Sequence, residues 1–132
     1  MQESSNTTIE HTVHAYFDGV YRGDVAALAG LFDIDAQVYG DIDGQPYHKS
    51  ASSYLAGVAA RKSPHELGEP YRMQLLAVDR QANIASVKLH SPMLGFDYYL
   101  YLSLRRLDGQ WLIVNKTFSH GSAQEKTTQE RP

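Results

Sequence analysis

The sequence predicts an α+β domain in which helices lie against one face of a curved antiparallel sheet. Three observations carry that expectation. Apolar residues recur at helical spacing in three stretches of the first half, extended runs fill the chain from residue 71 onward, and Asp108-Gly109 joins the two longest runs as a hairpin.

In chain order, residues 1–6 read as a lead-in. Thr7-Thr-Ile-Glu10 fits a capping box, and Ile9, Val13, Tyr16, Phe17 and Val20 then share one helical face until Arg22-Gly23 stops it, predicting helix over about 8–21. Asp24 caps a second helix whose stripe is Val25, Leu28, Leu31 and Phe32, ending near Asp33. Residues 36–41 form a short strand, and Asp43-Gly44 turns into Pro46-Tyr47-His48. Ser50 caps a third helix carrying Ala51, Tyr54, Leu55, Val58 and Ala59 on one face. Arg61 and Lys62 sit at its C-terminal dipole, and Ser63-Pro64 ends it. Residues 71–79 and 82–91 are extended, and Pro92 and Gly95 separate the second of these runs from the hairpin.

Asp-Gly suits a two-residue turn because both central residues take positive φ. With Leu107 opposite Gln110, an unbroken register pairs Arg106 with Trp111, Leu104 with Ile113, Leu102 with Asn115 and Leu100 with Thr117. The other face carries Tyr99, Tyr101, Ser103, Leu112, Val114, Lys116 and Phe118. Both faces are largely apolar, so both need cover: helices supply one, and a second copy of the chain is the economical cover for the other. Residues 119–132 are polar and without periodicity, a tail following a single domain over 1–118.

Length and composition agree with one globular domain: 132 residues, 42% hydrophobic, net charge −3. A mild acidic balance with no basic run argues against nucleic acid and against an anionic membrane surface. The absence of cysteine excludes disulfides, thiolate catalysis and sulfur-ligated zinc. No leader pattern or membrane-length apolar run is evident, which makes the cytoplasm the expected location. The six histidines make no metal set, since His11 and His14 stand one turn apart with no further ligand at a suitable spacing. No Gly-rich phosphate loop or nucleophile elbow occurs, and no cofactor is expected.

The pieces Tyr21-Arg-Gly-Asp24, Leu31-Phe32, Asp35-Ala-Gln-Val38, Asp97-Tyr-Tyr-Leu100 and Asp108-Gly-Gln-Trp-Leu-Ile-Val-Asn-Lys116 resemble the nuclear transport factor 2-like superfamily, over about residues 8–118. The last two look most like its group labelled putative lumazine-binding proteins. The resemblance implies a cone-shaped roll, three N-terminal helices packed in a strongly curved antiparallel sheet around a pocket. The ketosteroid isomerases and polyketide cyclases are similar in fold. Set beside the isomerases, Tyr16 falls at their helix-one tyrosine, Gly40 where their base stands with Asp41 one residue later, and Ser103 nearest their late-strand acid. One of three groups matches, and a one-residue shift along a strand points to the other face. The resemblance also turns Tyr99, Tyr101, Ser103, Val114, Lys116 and Phe118 toward the pocket. It leaves Leu102, Trp111, Ile113 and Asn115 on the convex side, where a homodimer is expected.

The candidate ligand-binding residues are therefore Tyr16, Phe17, Phe32, Tyr54, Tyr99, Tyr101, Ser103, Val114, Lys116 and Phe118, and the candidate catalytic groups are Tyr16, Asp41, Asp97 and Lys116. Tyr16 combines a large ring with one hydroxyl that needs a partner, either a ligand or core backbone. An inward Lys116 must pair or lose its charge, with Asp97 or an anionic ligand as partner, unless it reaches solvent at the pocket mouth. These residues suit a small-molecule-binding protein whose ligand is planar and partly apolar. The alternatives are a cofactor-free isomerase, dehydratase or cyclase using the same pocket, and an interaction module whose dimer surface is the function.

Overall fold

The computed structural model describes residues 8–120, and the lead-in and the predicted tail beyond His120 lie outside the described residues. Helix α1 spans Ile9–Arg22. Its cap is Thr8, whose hydroxyl accepts from the His11 N–H at 3.0 Å, and Gly23 closes it at φ 69°. That positive φ lets the Asp24 N–H return to the Gly19 carbonyl at 2.9 Å. Ile9, Val13, Tyr16, Phe17 and Val20 are all buried, as the helical spacing requires.

Helix α2 is shorter than its apolar stripe suggests, Val25–Ala29, capped by Asp24. Phe32 is not helical and opens strand β1, Phe32–Ile42. The turn at Asp43-Gly44, with φ 51° and 88°, leads into β2, Gln45–Ser50. Ser50 caps α3, Ala51–Ala60, by accepting from the Ser53 N–H. Strands β3 (Gln74–Gln81), β4 (Ile84–Met93), β5 (Phe96–Leu107) and β6 (Gln110–His120) complete the chain.

The class is α+β, with three helices and six strands in the order β2-β1-β6-β5-β4-β3. The sheet curls without closing, its edges being β2 and β3. Four neighbouring pairs are antiparallel and one, β1 with β6, is parallel, with β2, α3 and the strands β3 to β5 intervening before the chain returns beside β1. Ser119 and His120 extend β6 rather than beginning a tail.

The hairpin follows the expected register from Leu107–Gln110 to Leu104–Ile113, then slips by one residue at Val114, so that Ser103 pairs with Asn115, Leu102 with Lys116 and Leu100 with Phe118. A single inserted residue reverses the facing of everything beyond it. Trp111 and Ile113 before the bulge and Lys116 and His120 after it all point inward, with Leu100, Leu102 and Leu104 opposite. This corrects the expected dimer face. Leu102 (0% exposed), Trp111 (2%) and Ile113 (0%) are core residues of one chain, and Asn115 is half-buried beside the bulge. It also moves Tyr99, Tyr101 and Ser103 to the outer surface, where Tyr101 is 51% exposed. Val114 is the inserted residue and is half-buried.

α1 is held against this interior by the Thr12 hydroxyl, which donates to the Trp111 carbonyl at 3.3 Å. Leu31 accepts at 2.8 Å from the Ile113 N–H, tying the α2–β1 junction to the same strand.

Candidate functional site

At one end of the roll, α1, α3 and the strands β1, β2, β4, β5 and β6 leave a cavity of about 170 Å³. Buried Tyr16, Tyr54, Leu100 and Lys116 form its deep wall, while half-buried Tyr47 and Arg61 and exposed Gly57 stand toward solvent. Phe118, Tyr98, Met93 and His120 complete most of the lining. The bulge sets this up: without the extra Val114, the side chains of β6 beyond it would face outward.

Lys116 is the central polar group. Its Nζ donates to Tyr54 Oη at 2.9 Å and lies 4.1, 5.5 and 5.3 Å from the ring centres of Tyr54, Tyr16 and Phe118. The amine thus sits in an aromatic cage, the arrangement in which ring faces attract a cation most strongly because water is excluded. Burial lowers its pKa, with Arg61 pressing the same way and Tyr54 opposing. Tyr16 and Tyr54 share a hydrogen bond, and their phenols are driven apart. Burial first, then the neighbouring Tyr54, raises Tyr16 well above its ordinary value. Burial pushes Tyr54 upward too, but the charge and hydrogen bond of Lys116, aided by Arg61 and Tyr16, outweigh it and leave that phenol below its ordinary value.

Phe118 reaches the cavity across Gly40, its pairing partner on β1. A Cβ at Gly40 would overlap the Phe118 ring, so that glycine is a condition of the close approach. The ring therefore occupies the place where the isomerase comparison puts a carboxylate. Asp41 is exposed on the outside of the turn, its carboxylate accepting from the Gly44 N–H at 2.6 Å. Asp97 pairs with His90 at 2.5 Å, alongside the Tyr99 ring that stacks on His90. Neither acid borders the cavity.

Of the residues nominated from sequence, Tyr16, Tyr54, Lys116 and Phe118 meet at the cavity. Phe32 is buried one ring away, 6.1 Å from Tyr54, and Phe17 packs edge-on against Tyr71 at 6.5 Å. Tyr99, Tyr101, Ser103 and Val114 do not reach it. The lining residues left out of the nominated set are chiefly Arg61, Tyr47, Tyr98 and His120. Alternation with buried Leu100 was a signal for Tyr98, and alternation with Lys116 for His120. Arg61 had none. It adopts an extended conformation (φ −104°, ψ 161°) just after α3, and the following turn is pinned by a reciprocal pair, Ser63 N–H to Glu66 and Glu66 N–H to the Ser63 hydroxyl. The His65 N–H bonds the Tyr21 carbonyl at 3.0 Å, fastening that turn to the end of α1.

Among the described residues no three His, Asp or Glu side chains converge as a metal site, and no helix is long and apolar enough to cross a membrane.

A curled sheet wrapped on a capped helix, with a cavity at one end of the roll, is the fold that this chain shares with solved NTF2-like proteins. The family described as "Putative lumazine-binding" matches residues 4–119, and the chain belongs to it. No curated protein matches. Among solved structures, the chain is similar to an NTF-2-like protein of unknown function from Silicibacter pomeroyi DSS-3, with 21% identity over 86% of this chain and 92% of that one and a TM-score of 0.71. It is similar as well to an NTF2-like protein of unknown function from Shewanella baltica OS155, at 20% identity over 89% and 100% of the two chains with a TM-score of 0.73. A cystatin-like fold protein from Burkholderia xenovorans LB400 gives 15% identity, 86% and 89% coverage and a TM-score of 0.62.

Proposed function

We propose that the protein binds a small, planar, partly apolar molecule in the cavity beside Lys116. The observation that carries this reading is a void of about 170 Å³ walled by tyrosine and phenylalanine rings, with one amine held among them. A cavity on the order of 150 Å³ admits benzene, so this one has room for a single substituted ring. The family's description supports a ligand-binding role. NMR titration with small planar compounds tests it. Amide signals of Tyr16, Tyr54, Lys116 and Phe118 shift together on binding, and shifts confined to the outer face, or none, overturn it. The proposed setting is the cytoplasm. The proposed homodimer uses the outer sheet face around Tyr99, Tyr101 and Leu112, with sedimentation equilibrium as its check.

A second reading rests on the two phenols. An environment that pushes paired titratable groups apart is a way to assign acid and base roles, and Tyr54 with Lys116 would take a proton while Tyr16 donates a hydrogen bond. The isomerase, dehydratase or cyclase alternative would then run through Tyr54 and Lys116 rather than Asp41 or Asp97. Solvent deuterium appearing at a carbon next to a bound carbonyl would support it, and its absence with a bound ketone would exclude it.

A further inference from the structure

Resting on the pocket reading above, we propose that the ligand is a planar carboxylate and that the guanidinium of Arg61 receives it at the outer end of the cavity. Arg61 Nε and Nη2 are both shielded from solvent and have no hydrogen-bond partner among the described residues. Those two nitrogens share one edge of the guanidinium and present parallel N–H groups, the geometry that matches the two oxygens of a carboxylate. A buried cationic donor without a partner is costly, and Arg cannot relieve the cost by losing its proton as a lysine can.

Among the described residues, those lining the cavity include Arg61, Lys116 and His120 but no Asp or Glu. The two acids nominated from sequence are engaged elsewhere, Asp41 on the Gly44 N–H and Asp97 on His90. Lys116 is already committed to Tyr54. A second buried polar atom in the same lining, His120 Nδ1, likewise has no hydrogen-bond partner among the described residues. The aromatic wall receives the ring of the ligand while Arg61 holds its charged end. The volume, near that of a cavity which takes one benzene ring, favours a single-ring acid over a larger one.

The test uses benzoate, benzamide and toluene as matched probes, titrated against the full chain by NMR. Benzoate binds at least about tenfold more tightly than benzamide, the difference between charge-assisted and neutral hydrogen bonding. In Arg61→Gln, benzoate and benzamide bind within about threefold of each other, while toluene binds as in the parent. Arg61→Lys retains part of the preference, which separates charge recognition from a fold defect. Should benzamide or toluene bind as well as benzoate to the parent protein, the pocket reading stands and the carboxylate proposal falls. If none of the three binds, both fall. A benzoate preference that survives in Arg61→Gln also overturns the proposal.

Discussion

The contact between Gly40 and Phe118 gives the sharpest stability prediction. β1 is an interior strand, with Gly40 paired to Tyr47 on one side and Phe118 on the other. A Cβ at Gly40 would overlap the Phe118 ring, with Cε1 and Cζ nearest and even Cδ1 only 2.6 Å away, so the ring would have to withdraw by more than about 1 Å to restore ordinary contact. It has little freedom to do so. Tyr47 is 5.2 Å and Tyr98 6.0 Å from it, centre to centre, and the Lys116 amine stands over its face at 5.3 Å. Overpacking of this kind costs about 1–3 kcal/mol, which is the expected loss in Gly40→Ala. Phe118→Ala removes a half-buried ring and should lose somewhat less than the roughly 3–5 kcal/mol typical of a fully buried phenylalanine. With the ring gone, the three atoms nearest that Cβ are gone, and an alanine at position 40 is expected to gain about 0.5–1 kcal/mol over glycine in a strand. Urea unfolding of both single variants and the double variant therefore yields a coupling of roughly 1.5–4 kcal/mol, with Gly40→Ala changing sign between backgrounds. If Gly40→Ala has the same effect in both, within about 0.5 kcal/mol, the ring does not lie over that glycine and the cavity wall is drawn wrongly.

Two further outcomes follow from the site. Gly57→Ala raises stability by about 0.5–1 kcal/mol, because Gly57 is inside α3 and a Cβ there meets nothing within 4 Å; a lowered unfolding midpoint would contradict this. The alkaline pH dependence has a worked sign. Lys116 and Tyr54 titrate below their ordinary 10.5 and 10.0 when folded, so between those lowered values and the ordinary ones the unfolded chain holds more protons. Stability then rises with pH toward 10, by at most about 1.4 kcal/mol per pH unit for each group. Above 10 the raised Tyr16 reverses the trend, since the folded state keeps a proton that the unfolded chain releases. Lys116→Met removes most of the rise and leaves the fall, as urea midpoints measured from roughly pH 8 to 11 will show; an unchanged rise in that variant would place the titration elsewhere.

Much of this architecture was legible because it is written in local chemistry. The caps Asp24 and Ser50, the stop at Gly23 and the turns at Asp43-Gly44 and Asp108-Gly109 each rest on one or two residues with a narrow conformational role, and each stands where its residue type predicts. What sequence hid was the slip at Val114. No glycine or proline marks it, and β5 and β6 are apolar on both alternations, so the hydrophobic pattern could not reveal which parity was inside. That ambiguity placed Tyr101 and Ser103 in the pocket beside Lys116 and put Trp111 and Ile113 on a dimer face. Phe32 read as the end of a helical stripe because one apolar residue fits either period, and its strand pairing with Ile113 is a tertiary fact. Arg61 was invisible for another reason. A basic residue at a helix end ordinarily serves the dipole in solvent, and only the pinned turn at Ser63 and Glu66 brings this one to the cavity.

The central claim, that the cavity beside Lys116 is where a small molecule binds, is tested most directly by native mass spectrometry of the wild-type protein and Gly57→Phe purified side by side. Gly57 is exposed and lines the cavity, and a Cβ there meets nothing within 4 Å, so the variant is designed to set a ring over the opening. The account predicts a discrete extra mass retained by the wild-type protein and missing from the variant. The same extra mass on both proteins, or on neither, would contradict it.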